Sequence, residues 1–392
     1  MKIYILTRNP FPNGLAATNR IRCYATGIIS NCSDCEVIVA CRTERSDRII
    51  MNKYTQGIYK DIPFRYLSAS TIRSSSFIVR RLQDIVSILN LIKFILFEIK
   101  SEDIVIAYDN KNEMFFLPLC KLRRIKVYRE LCEYPYATVN DSIINKIRRN
   151  FNLHVYFPMY SGFITISQEL TKLAQRYSSK KSRIIKIPIL VDTENINTES
   201  YKHARPYIFH SGTMYERKDA IVSTFKAFAI ASKQLDYRVD FILAGPKSPH
   251  DDEIQEIIQD NKLTDNIIFL GKLSRDEVEL YQNGASLAIL NKNDNLQNRC
   301  GFSTKLGELL LSRTPVVTTT VGEANHWLKD GVSAYITQPH HPELIALQIV
   351  RAFSNDEERI AIALEGAKIA RENFDCIKQG KRLVAFLNEE VI

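Results

Sequence analysis

The chain of 392 residues has no uncharged apolar run long enough to cross a membrane. Its most apolar stretch, 77–99, is rich in Ile, Leu and Phe, but a span needs about 18 consecutive apolar residues. Charged residues interrupt this stretch at five positions, namely Arg80, Arg81, Asp84, Lys93 and Glu98. We therefore predict a largely buried helix over 77–99, with contact between its Arg80–Arg81 end and a membrane surface as the open alternative.

The first residues lack the long apolar segment of a secretory signal. Residues 1–6 are too short for one and predict a buried first strand instead. Eight cysteines without such a signal indicate free thiols in a reducing compartment, so we expect a cytoplasmic protein. The Cys32-x-x-Cys35 pair suggests zinc, but Cys23 and Cys41 do not supply a second tightly spaced pair. Small buried side chains and a turn are the interpretation we favour.

Acidic residues are scarce in the first half of the chain. Residues 1–190 hold 30 Lys and Arg against 15 Asp and Glu, a net charge of +15, whereas 191–392 has a net charge of −6. A basic half predicts attraction to an anionic partner such as membrane headgroups or a lipid phosphate. It shows no recognition-helix or aromatic-platform motif, so we expect no nucleic-acid partner. A solvated surface without a dedicated partner is the alternative.

Short apolar runs alternate with helical patterns along the chain, which predicts α/β domains with parallel sheets covered on both faces. Candidate strands in the first half are 3–7, 37–41, 64–67, 104–108, 126–130, 162–166 and 184–189. After a polar linker, 191–205, the pattern restarts with strands 207–211, 241–244, 267–270, 287–290 and 315–319, separated by helices near 219–233, 252–261, 274–283 and 304–312. We predict two doubly wound, Rossmann-like domains, 1–190 and 206–374, and a last helix within 375–392. Ligands of such domains bind at the carboxyl ends of the strands.

The loop after the first strand of the second domain has the composition of a phosphate site. Gly212 ends the strand and lets a ligand approach the backbone closely. Arg217 and Lys218 follow as cations before a predicted helix, whose start adds its dipole. Gly245, after the next strand, would line the same crevice. An Arg-Lys pair at a helix start also occurs as plain surface.

A second loop leads into the predicted helix 304–312. The helix amides that follow Gly301, Phe302, Ser303 and Thr304 could hold a diphosphate. One turn further, Glu308 could accept hydrogen bonds from ribose hydroxyls. A solvated helix carboxylate is the alternative, but leucine neighbours place Glu308 near the buried side, where it needs donors.

With these motifs the second half resembles the large family of retaining glycosyltransferases of GT-B fold, often called family 4. That family's signature is a Glu, a Gly-Phe-Gly-type loop, a second Glu eight positions on and a Pro-Val-Val turn. The positions that match are Gly301-Phe302, Glu308, Pro315-Val316-Val317, and the segments 266–271, 274–278 and 281–286. The resemblance covers nearly all of 205–345, and more loosely 12–17, 129–135 and 165–167 of the first half.

The resemblance implies two domains that face each other across a cleft, with the last helix crossing back onto the first domain. It implies a retaining transfer of a sugar from a nucleoside diphosphate sugar to a hydroxyl, in cell-surface polysaccharide or glycolipid synthesis. The acceptor would be lipid-linked or a glycan, and the protein could sit peripherally at the inner membrane face. The chain has no Asp-x-Asp triplet, so we expect no metal bridge to the diphosphate and no cofactor.

Residue by residue, the resemblance assigns donor diphosphate binding to Arg217 and Lys218. It assigns sugar and phosphate contacts to the 301–304 backbone and ribose binding to Glu308. The cleft would be closed from the acceptor side by the loop of Asn13, Gly14 and Leu15.

Three positions depart from the family pattern. The first signature Glu falls at Cys300, which we expect to line the sugar pocket as a spectator; a common Arg falls at Thr213, and a common His at Cys132. Branches that act in surface-polysaccharide assembly often read Ser-Thr-Lys-x-x-Glu and lack the first Glu, so we interpret the departures as branch character. An inactive scaffold and a non-hydrolysing sugar-nucleotide epimerase using His210 and Glu216 stay open. The catalytic residue is unknown.

Overall fold

The computed structural model describes residues 1–40, 44–45, 50–108, 112–135 and 142–389. The chain divides into two compact units: unit 1 comprises 1–190 with 376–392, and unit 2 comprises 191–375. Each unit is a sheet layered with helices, which confirms the predicted class of two α/β domains. The units have opposite net charges, because unit 1 holds 33 Lys and Arg against 17 Asp and Glu, and unit 2 holds 20 against 27.

Unit 1 is built on an eight-stranded sheet in which all neighbours pair in parallel except the last two. Its strands are β1 (Lys2–Thr7), β2 (Asp34–Val39), β4 (Gln56–Tyr59), β5 (Ile62–Tyr66), β7 (Ile104–Tyr108), β8 (Lys126–Leu131), β9 (Gly162–Thr165) and β10 (Arg183–Lys186), with the two-residue strands β3 (Glu44–Arg45) and β6 (Ile72–Arg73) pairing apart from it. The order is β10-β9-β8-β7-β1-β2-β5-β4. The chain therefore reverses direction across the sheet between β1 and β7, and this is the switch point of unit 1.

Five helices follow these strands in unit 1: α1 (Ala16–Ser30), α2 (Phe77–Lys93), α3 (Glu113–Leu122), α4 (Ile143–Phe151) and α5 (Gln168–Tyr177). A π-helical turn, Phe94–Glu98, extends α2, and another, Asn152–Tyr156, extends α4. Crossover connections between parallel strands are right-handed. The crossover through α1 runs one way along the sheet and those through α2 to α5 run the other way, so α2 to α5 cover the face opposite to α1.

The prediction of a largely buried helix over 77–99 is wrong. Most apolar side chains of α2 are exposed, and only Ser87 and Leu91 of the helix are buried. The helix is fixed to unit 1 through its polar side, where the Asn90 amide donates to the Leu67 carbonyl over 2.7 Å. No helix in the described part of the chain has the length and apolarity to cross a membrane.

Unit 2 holds a six-stranded, all-parallel sheet in the order β13-β12-β11-β14-β15-β16. The strands are β11 (Tyr207–Ser211), β12 (Asp240–Ala244), β13 (Ile267–Gly271), β14 (Leu287–Leu290), β15 (Val316–Thr319) and β16 (Tyr335–Thr337). Its helices are α6 (Glu216–Asp219), α7 (Ile221–Ser232), α8 (Asp251–Asp260), α9 (Arg275–Gly284), α10 (Leu296–Cys300), α11 (Thr304–Leu311), α12 (Ala324–Trp327), α13 (Pro342–Ser354) and α14 (Asp356–Asn373). Numbered within the unit, the order is 3-2-1-4-5-6, the dinucleotide-binding order, with its switch point between β11 and β14.

The last helix, α15 (Cys376–Leu387), belongs to unit 1, as the resemblance implied. It packs on α1 at a point where both helices carry glycine. A Cβ on Gly27 would lie 2.2 Å from the Cys376 carbonyl oxygen, and one on Gly380 would lie 2.4 Å from the Gly27 carbonyl oxygen. Any side chain at either position would separate the helices.

Candidate anion-binding site

Three polar side chains of unit 2 converge on Gly212, at the carboxyl end of β11 and next to the switch point. A Cβ built on Gly212 would lie 2.8 Å from Lys305 Nζ, 3.1 Å from Asp219 Oδ2 and 3.2 Å from His210 Nε2. Glycine at position 212 therefore lets these three polar groups approach the backbone more closely than any side chain would allow. These side chains come from β11, from α6 shortly after it, and from α11, which is distant in sequence.

Asp219 is held as a carboxylate in this cluster. Lys292, which follows β14, donates to Asp219 Oδ1 over 2.7 Å, and the Thr213 hydroxyl donates to Oδ2 over 2.8 Å. Burial alone would raise the pKa of Asp219, but Lys292, Lys305 and His210 outweigh burial and hold that pKa well below its usual range. Asp219 therefore neutralises Lys292.

His210 is a neutral imidazole at physiological pH. Its burial, together with the neighbouring Lys305, lowers its pKa to about 4. The Nδ1 atom lies 3.0 Å from the Ile289 carbonyl, which can only accept, so Nδ1 carries the hydrogen. Nε2 is then a buried acceptor, and no described residue donates to it.

Lys305 is the cation with spare donors in this cluster. Its burial and the neighbouring Lys292 and Lys218 outweigh the attraction of Asp219 and lower its pKa to about 8, so it is mostly charged at neutral pH. Its Nζ donates to the Ser211 carbonyl, which is the one acceptor that the described residues supply. Two N–H donors of an ammonium thus stay available for an anion.

Arg217 and Lys218 lie within the four-residue α6, shortly before the longer helix α7, and both side chains are exposed. In the helix that follows, α7, the Glu216 carboxylate accepts from the Val222 N–H over 2.7 Å, so this first-turn amide already has a partner. The expected dipole contribution at this loop stays a prediction. The two cations contribute their own charge, and Lys218 is close enough to Lys305 to lower its pKa.

Asparagine amides fix α6 in place from the segment after β14. Asn293 donates to the Glu216 carbonyl over 2.7 Å, and Asn295 donates to the Arg217 carbonyl over 2.8 Å. Asn298 reaches the Arg217 and Lys218 carbonyls at 3.3 and 3.4 Å. These contacts tie the cations of α6 to the carboxyl end of β14.

The 301–304 loop connects α10 to α11. Ser303 is the N-cap residue of α11 but makes no side-chain cap, so the first amides of α11 have no partner from it. Phe302 is buried, and its ring packs edge-on against Phe374 with centroids 5.5 Å apart. Cys300, the last residue of α10, is 3% exposed and so lies beneath the surface.

Glu308 and Gly245 complete the predicted donor residues. The Glu308 side chain is half-buried, 3.8 Å from an Arg275 nitrogen, and one helical turn from Lys305, whose pKa it raises. A Cβ on Gly245 would lie 2.2 Å from the Gly212 carbonyl oxygen. Glycine at 245 therefore allows the ends of β11 and β12 to approach closely.

The predicted acceptor-side loop follows β1 at the switch point of unit 1. The Asn13 N–H donates to Asn52 Oδ1 and the Asn52 amide donates back to the Asn13 carbonyl, both over 2.9 Å. Gly14 is packed so closely that a Cβ would lie 2.1 Å from Thr18 Oγ1. Leu15 is 83% exposed, and position 14 therefore fixes the loop while Leu15 projects from it.

The cysteines show no metal-binding arrangement in the part of the chain that the structure describes. Cys32 is exposed and Cys35 is buried in β2, while Cys41 lies outside the described residues. Among the described residues no three His, Cys, Asp or Glu side chains group as metal ligands. Burial and the nearby Glu130 raise the pKa of the Cys132 thiol well above its usual value, so it stays protonated.

Sequence reasoning identified the loops of this site but missed Lys305, Lys292 and Asp219 as its charged centre. The available signal was the Asn-rich segment 291–298 directly after a buried strand, and the position of Lys305 in the first turn of a helix. Neither pattern predicts that these side chains point towards Gly212.

Solved structures with this architecture are glycosyltransferases and related enzymes. The sucrose-phosphate synthase of Thermosynechococcus elongatus matches with a TM-score of 0.75 and 11% identity over 99% of both chains. HepE of Anabaena, solved in complex with UDP, matches with a TM-score of 0.69 and 16% identity over 99% of this chain and 100% of HepE. The lipopolysaccharide outer core galactosyltransferase WaaB matches with a TM-score of 0.66 and 13% identity over 100% of both chains. At these identities the likeness shows the fold, which is GT-B.

Sequence comparison gives a match for unit 2. Residues 205–355, within unit 2, match the family described as "Glycosyl transferases group 1". No curated protein sequence matches the chain. The chain thus has the GT-B fold, and its unit 2 carries a group 1 glycosyltransferase domain.

Proposed function

We propose that the chain transfers a sugar from a nucleoside diphosphate sugar to a hydroxyl group with retention of the anomeric configuration. The observation that carries this proposal is the convergence of Lys305, Asp219 and His210 on Gly212 at the switch point of unit 2. In this strand order the phosphates of a nucleotide bind at the switch point. HepE has been solved with UDP and with UDP-glucose, which supports a nucleotide-sugar donor.

Lys305 supplies the charge that Thr213 lacks. Where family members commonly have an arginine, Thr213 donates its hydroxyl to Asp219 instead. Lys305 Nζ reaches the backbone at Gly212 from α11 and would lie 2.8 Å from a Cβ at that position. The cation is thus present, although it comes from a different element. This relocation favours an active enzyme over a degraded one.

The chemistry needs stabilisation of a leaving group. As the bond from the sugar to the diphosphate breaks, negative charge grows on the diphosphate and positive charge on the sugar ring. Lys305 and Lys218 would neutralise the diphosphate, and the uncapped first amides of α11 would donate to it. These groups are fixed before the reaction, so little reorganisation is needed at the transition state. Glu308 would hold the ribose.

The acceptor is proposed to be a lipid-linked or glycan hydroxyl in cell-surface polysaccharide or glycolipid synthesis, bound by unit 1. Two observations support this: the net positive charge of unit 1, and the fold likeness to WaaB, a lipopolysaccharide outer core galactosyltransferase. A diphosphate-linked lipid acceptor would suit a basic unit. Retention would require attack from the face that the leaving group vacates, or a transient adduct.

We propose that the reaction needs no metal bridge, because lysines occupy the place beside the predicted diphosphate. Activity should therefore be unchanged by a chelator. A loss that Mg²⁺ or Mn²⁺ restores would contradict this.

The epimerase alternative has less support than the sequence suggested. Glu216, one of its two candidate acid-base groups, caps α7 and accepts from Asn293, so it serves the local structure. The scaffold alternative rests on Cys300, Thr213 and Cys132. The position of Lys305 weakens the argument from Thr213, because it provides a cation where the common arginine is missing.

Nucleotide sugars tested against the melting temperature would separate these functions, since a ligand stabilises the state that binds it. The best donor would then be titrated against Arg217→Ala and Lys218→Ala, each expected to weaken binding by about tenfold or more. Lys329→Ala, at an exposed site of the same unit, is the control. Proton NMR of the product would show the anomeric configuration. If no nucleotide binds, the proposed function is wrong; if nucleotides bind without any transfer, the scaffold alternative holds.

A further inference from the structure

Helix α2 directs its apolar stripe away from unit 1. Ile78, Leu82, Ile85 and Leu89 follow the i, i+4, i+7, i+11 spacing of one helix face, and each is more than half exposed. A stripe with this spacing normally faces a core. Here the opposite side faces the unit, through Ser87 and Leu91.

Helix α4 repeats this arrangement. Ile143, Ile147 and Phe151 share one face at i, i+4 and i+8, all are exposed, and no residue of α4 is buried. The end of α4 is nevertheless held firmly. Asn152, directly after it, accepts from Arg129 over 2.9 Å and donates to Glu113 over 3.0 Å. The exposed face is therefore fixed in direction.

Both helices lie on the same side of the sheet. The right-handed crossovers that place α2 to α5 opposite α1 put them there, with α3 between them in the order of the strands. Helix α3 contacts α2 and itself exposes Met114. The two apolar stripes thus belong to one surface, which we call the α2–α4 face: the outward residues of α2 and α4.

Cations border these stripes. At about 100° per residue, Arg81 and Lys93 lie about 70° and 50° from the centre of the α2 stripe. On α4, Lys146 and Arg148 lie on either side of the apolar residues, each about 100° from the centre of the stripe. The two helices carry six Lys and Arg and a single acidic residue, Asp84, which lies 3.6 Å from Arg81. This pattern of apolar centre and basic border is that of a helix lying in a membrane interface.

A second copy of the chain fits this surface poorly. A symmetric dimer would place the same patch on both sides of the interface, so the four bordering cations, Arg81, Lys93, Lys146 and Arg148, would meet the same four of the other copy. An anionic bilayer meets both features at once, because its phosphates attract the cations and its acyl region takes the apolar side chains.

We propose that the α2–α4 face docks unit 1 on the surface of an anionic lipid bilayer. The apolar residues enter the boundary between headgroups and acyl chains, while the Lys and Arg side chains extend to the lipid phosphates. The inference concerns lipid binding by unit 1 and does not rest on the proposed reaction, since nucleotide binding is measured separately and without lipid.

The test is flotation of the full chain with vesicles of phosphatidylcholine alone or mixed with phosphatidylglycerol, at low and moderate salt. The parent should float with the anionic vesicles and partly dissociate as salt rises. A triple variant of the α2 stripe, Leu82→Ser, Ile85→Ser and Leu89→Ser, should lose at least about tenfold in partitioning, because each apolar side chain adds to binding. A matched triple of exposed residues in unit 2, Leu347→Ser, Ile360→Ser and Leu364→Ser, should float like the parent.

A second variant tests the charges without touching the stripe. Reversing Arg81 and Arg148 to Glu should weaken binding to anionic vesicles by more than about fivefold for each position, since a single Lys or Arg near such a surface gives about fivefold. This variant also decides the case if the triple variant fails to fold, as judged by circular dichroism. Three results would overturn the proposal: a parent that stays in the buffer with anionic vesicles at low salt, equal losses in the unit 2 triple, or a lipid-free dimer that the α2 triple dissociates.

Discussion

The two units each place a cation beside the sheet, fully buried in unit 1 and partly buried in unit 2, but they use it differently. In unit 1, Arg20 is 2% exposed and donates through all three of its nitrogens. Its acceptors all lie within the unit, namely Glu130 Oε1, the Tyr24 hydroxyl and the carbonyls of Ile187 and Pro188. In unit 2, Lys305 has one acceptor among the described residues, and its Nζ packs against the backbone at Gly212. A buried cation supports the fold when its donors are used and offers a binding site when they are not.

Net charge would rank unit 1 above unit 2 as a binding site for an anion. It predicts such a site less well than the local arrangement of charges does. Unit 2 is net negative, yet it holds the site that we propose for a diphosphate. There Asp219 cancels Lys292 and leaves Lys305 and Lys218 in surplus locally. The excess positive charge of unit 1 includes cations of α2 and α4, on outward helix faces. At short range the arrangement of a few charges outweighs the sum over a unit, since distant exposed charges are screened by salt.

The largest effect is expected for substitution of Arg20, the buried cation of unit 1, and it concerns stability. Arg20→Met leaves the Glu130 carboxylate buried without its partner, which should lower the free energy of unfolding by about 3–5 kcal/mol. The melting temperature should fall markedly, while a nucleotide should still raise it by the same increment. Arg176→Met, an exposed arginine of the same unit, is the control. If Arg20→Met melts with the parent, the contrast between the two cations is wrong.

Lys305→Met should show the reverse pattern. Loss of a charge-assisted contact should weaken donor affinity by about ten- to 150-fold, or about 1.5–3 kcal/mol. The melting temperature without ligand should stay equal or rise, because the substitution removes the cost of burying an ammonium. Calorimetric titration gives the affinity, with Lys329→Met as the control. Parent-like affinity would exclude Lys305 from the site, and unfolding would assign it a structural role.

The pH dependence of donor binding provides a test without a change of sequence. With the pKa of Lys305 lowered to about 8, the ligand-free protein loses this charge as pH rises through 8. A bound diphosphate favours the charged form, so binding takes up a proton above that pH. Affinity should be flat below about pH 7 and fall by about tenfold by pH 9.

Lys305→Arg should remove this slope, because arginine stays charged throughout the range. A slope that persists in Lys305→Arg would mean that another group titrates.

The framework of both units could be predicted from the sequence because buried parallel strands are continuous apolar runs. Strands 104–108, 207–211 and 287–290 agree with the structure at both ends. Strand β16, Tyr335–Thr337, was missed because three residues between loops carry no periodicity. The domain boundaries followed from the polar composition of 191–205.

Orientation could not be predicted in the same way. The stripe Ile78, Leu82, Ile85 and Leu89 predicts a helix, but periodicity alone does not say which side meets the protein. The Asn90 hydrogen bond and the buried Leu91 settle that in the folded chain. The direction of the Lys305 side chain could not be predicted for the same reason, since it depends on how α11 packs beside the end of β11. Sequence patterns thus predicted the elements, while long-range packing decided which groups face the ligand.

A smaller effect is expected for Glu308→Gln, which keeps the shape and removes the charge. Donor affinity should fall by about three- to tenfold, as for loss of one or two hydrogen bonds to ribose. The fold should survive, because the contact of Glu308 with Arg275 is long, at 3.8 Å.

Glu279→Gln is the matched control, since Glu279 pairs with the same arginine at 2.7 Å. Equal losses in both variants would show that Arg275, not ribose, explains the role of Glu308.

The smallest effect is expected for Cys300. It ends α10 at the entrance to the 301–304 loop, and its side chain is 3% exposed, so we expect a packing role there. Cys300→Ser should leave kcat/KM within about twofold, the range of a change of about 0.5 kcal/mol. A loss above tenfold would mean that the thiol contacts the substrate.

The family residue can be restored by Cys300→Glu, which must place a longer, charged side chain in this buried position and should therefore lower stability. A large gain in activity despite that cost would identify the parent as a degraded enzyme. Lys305 would then be a remnant of the donor site, and the contrast between the two buried cations would describe binding without turnover.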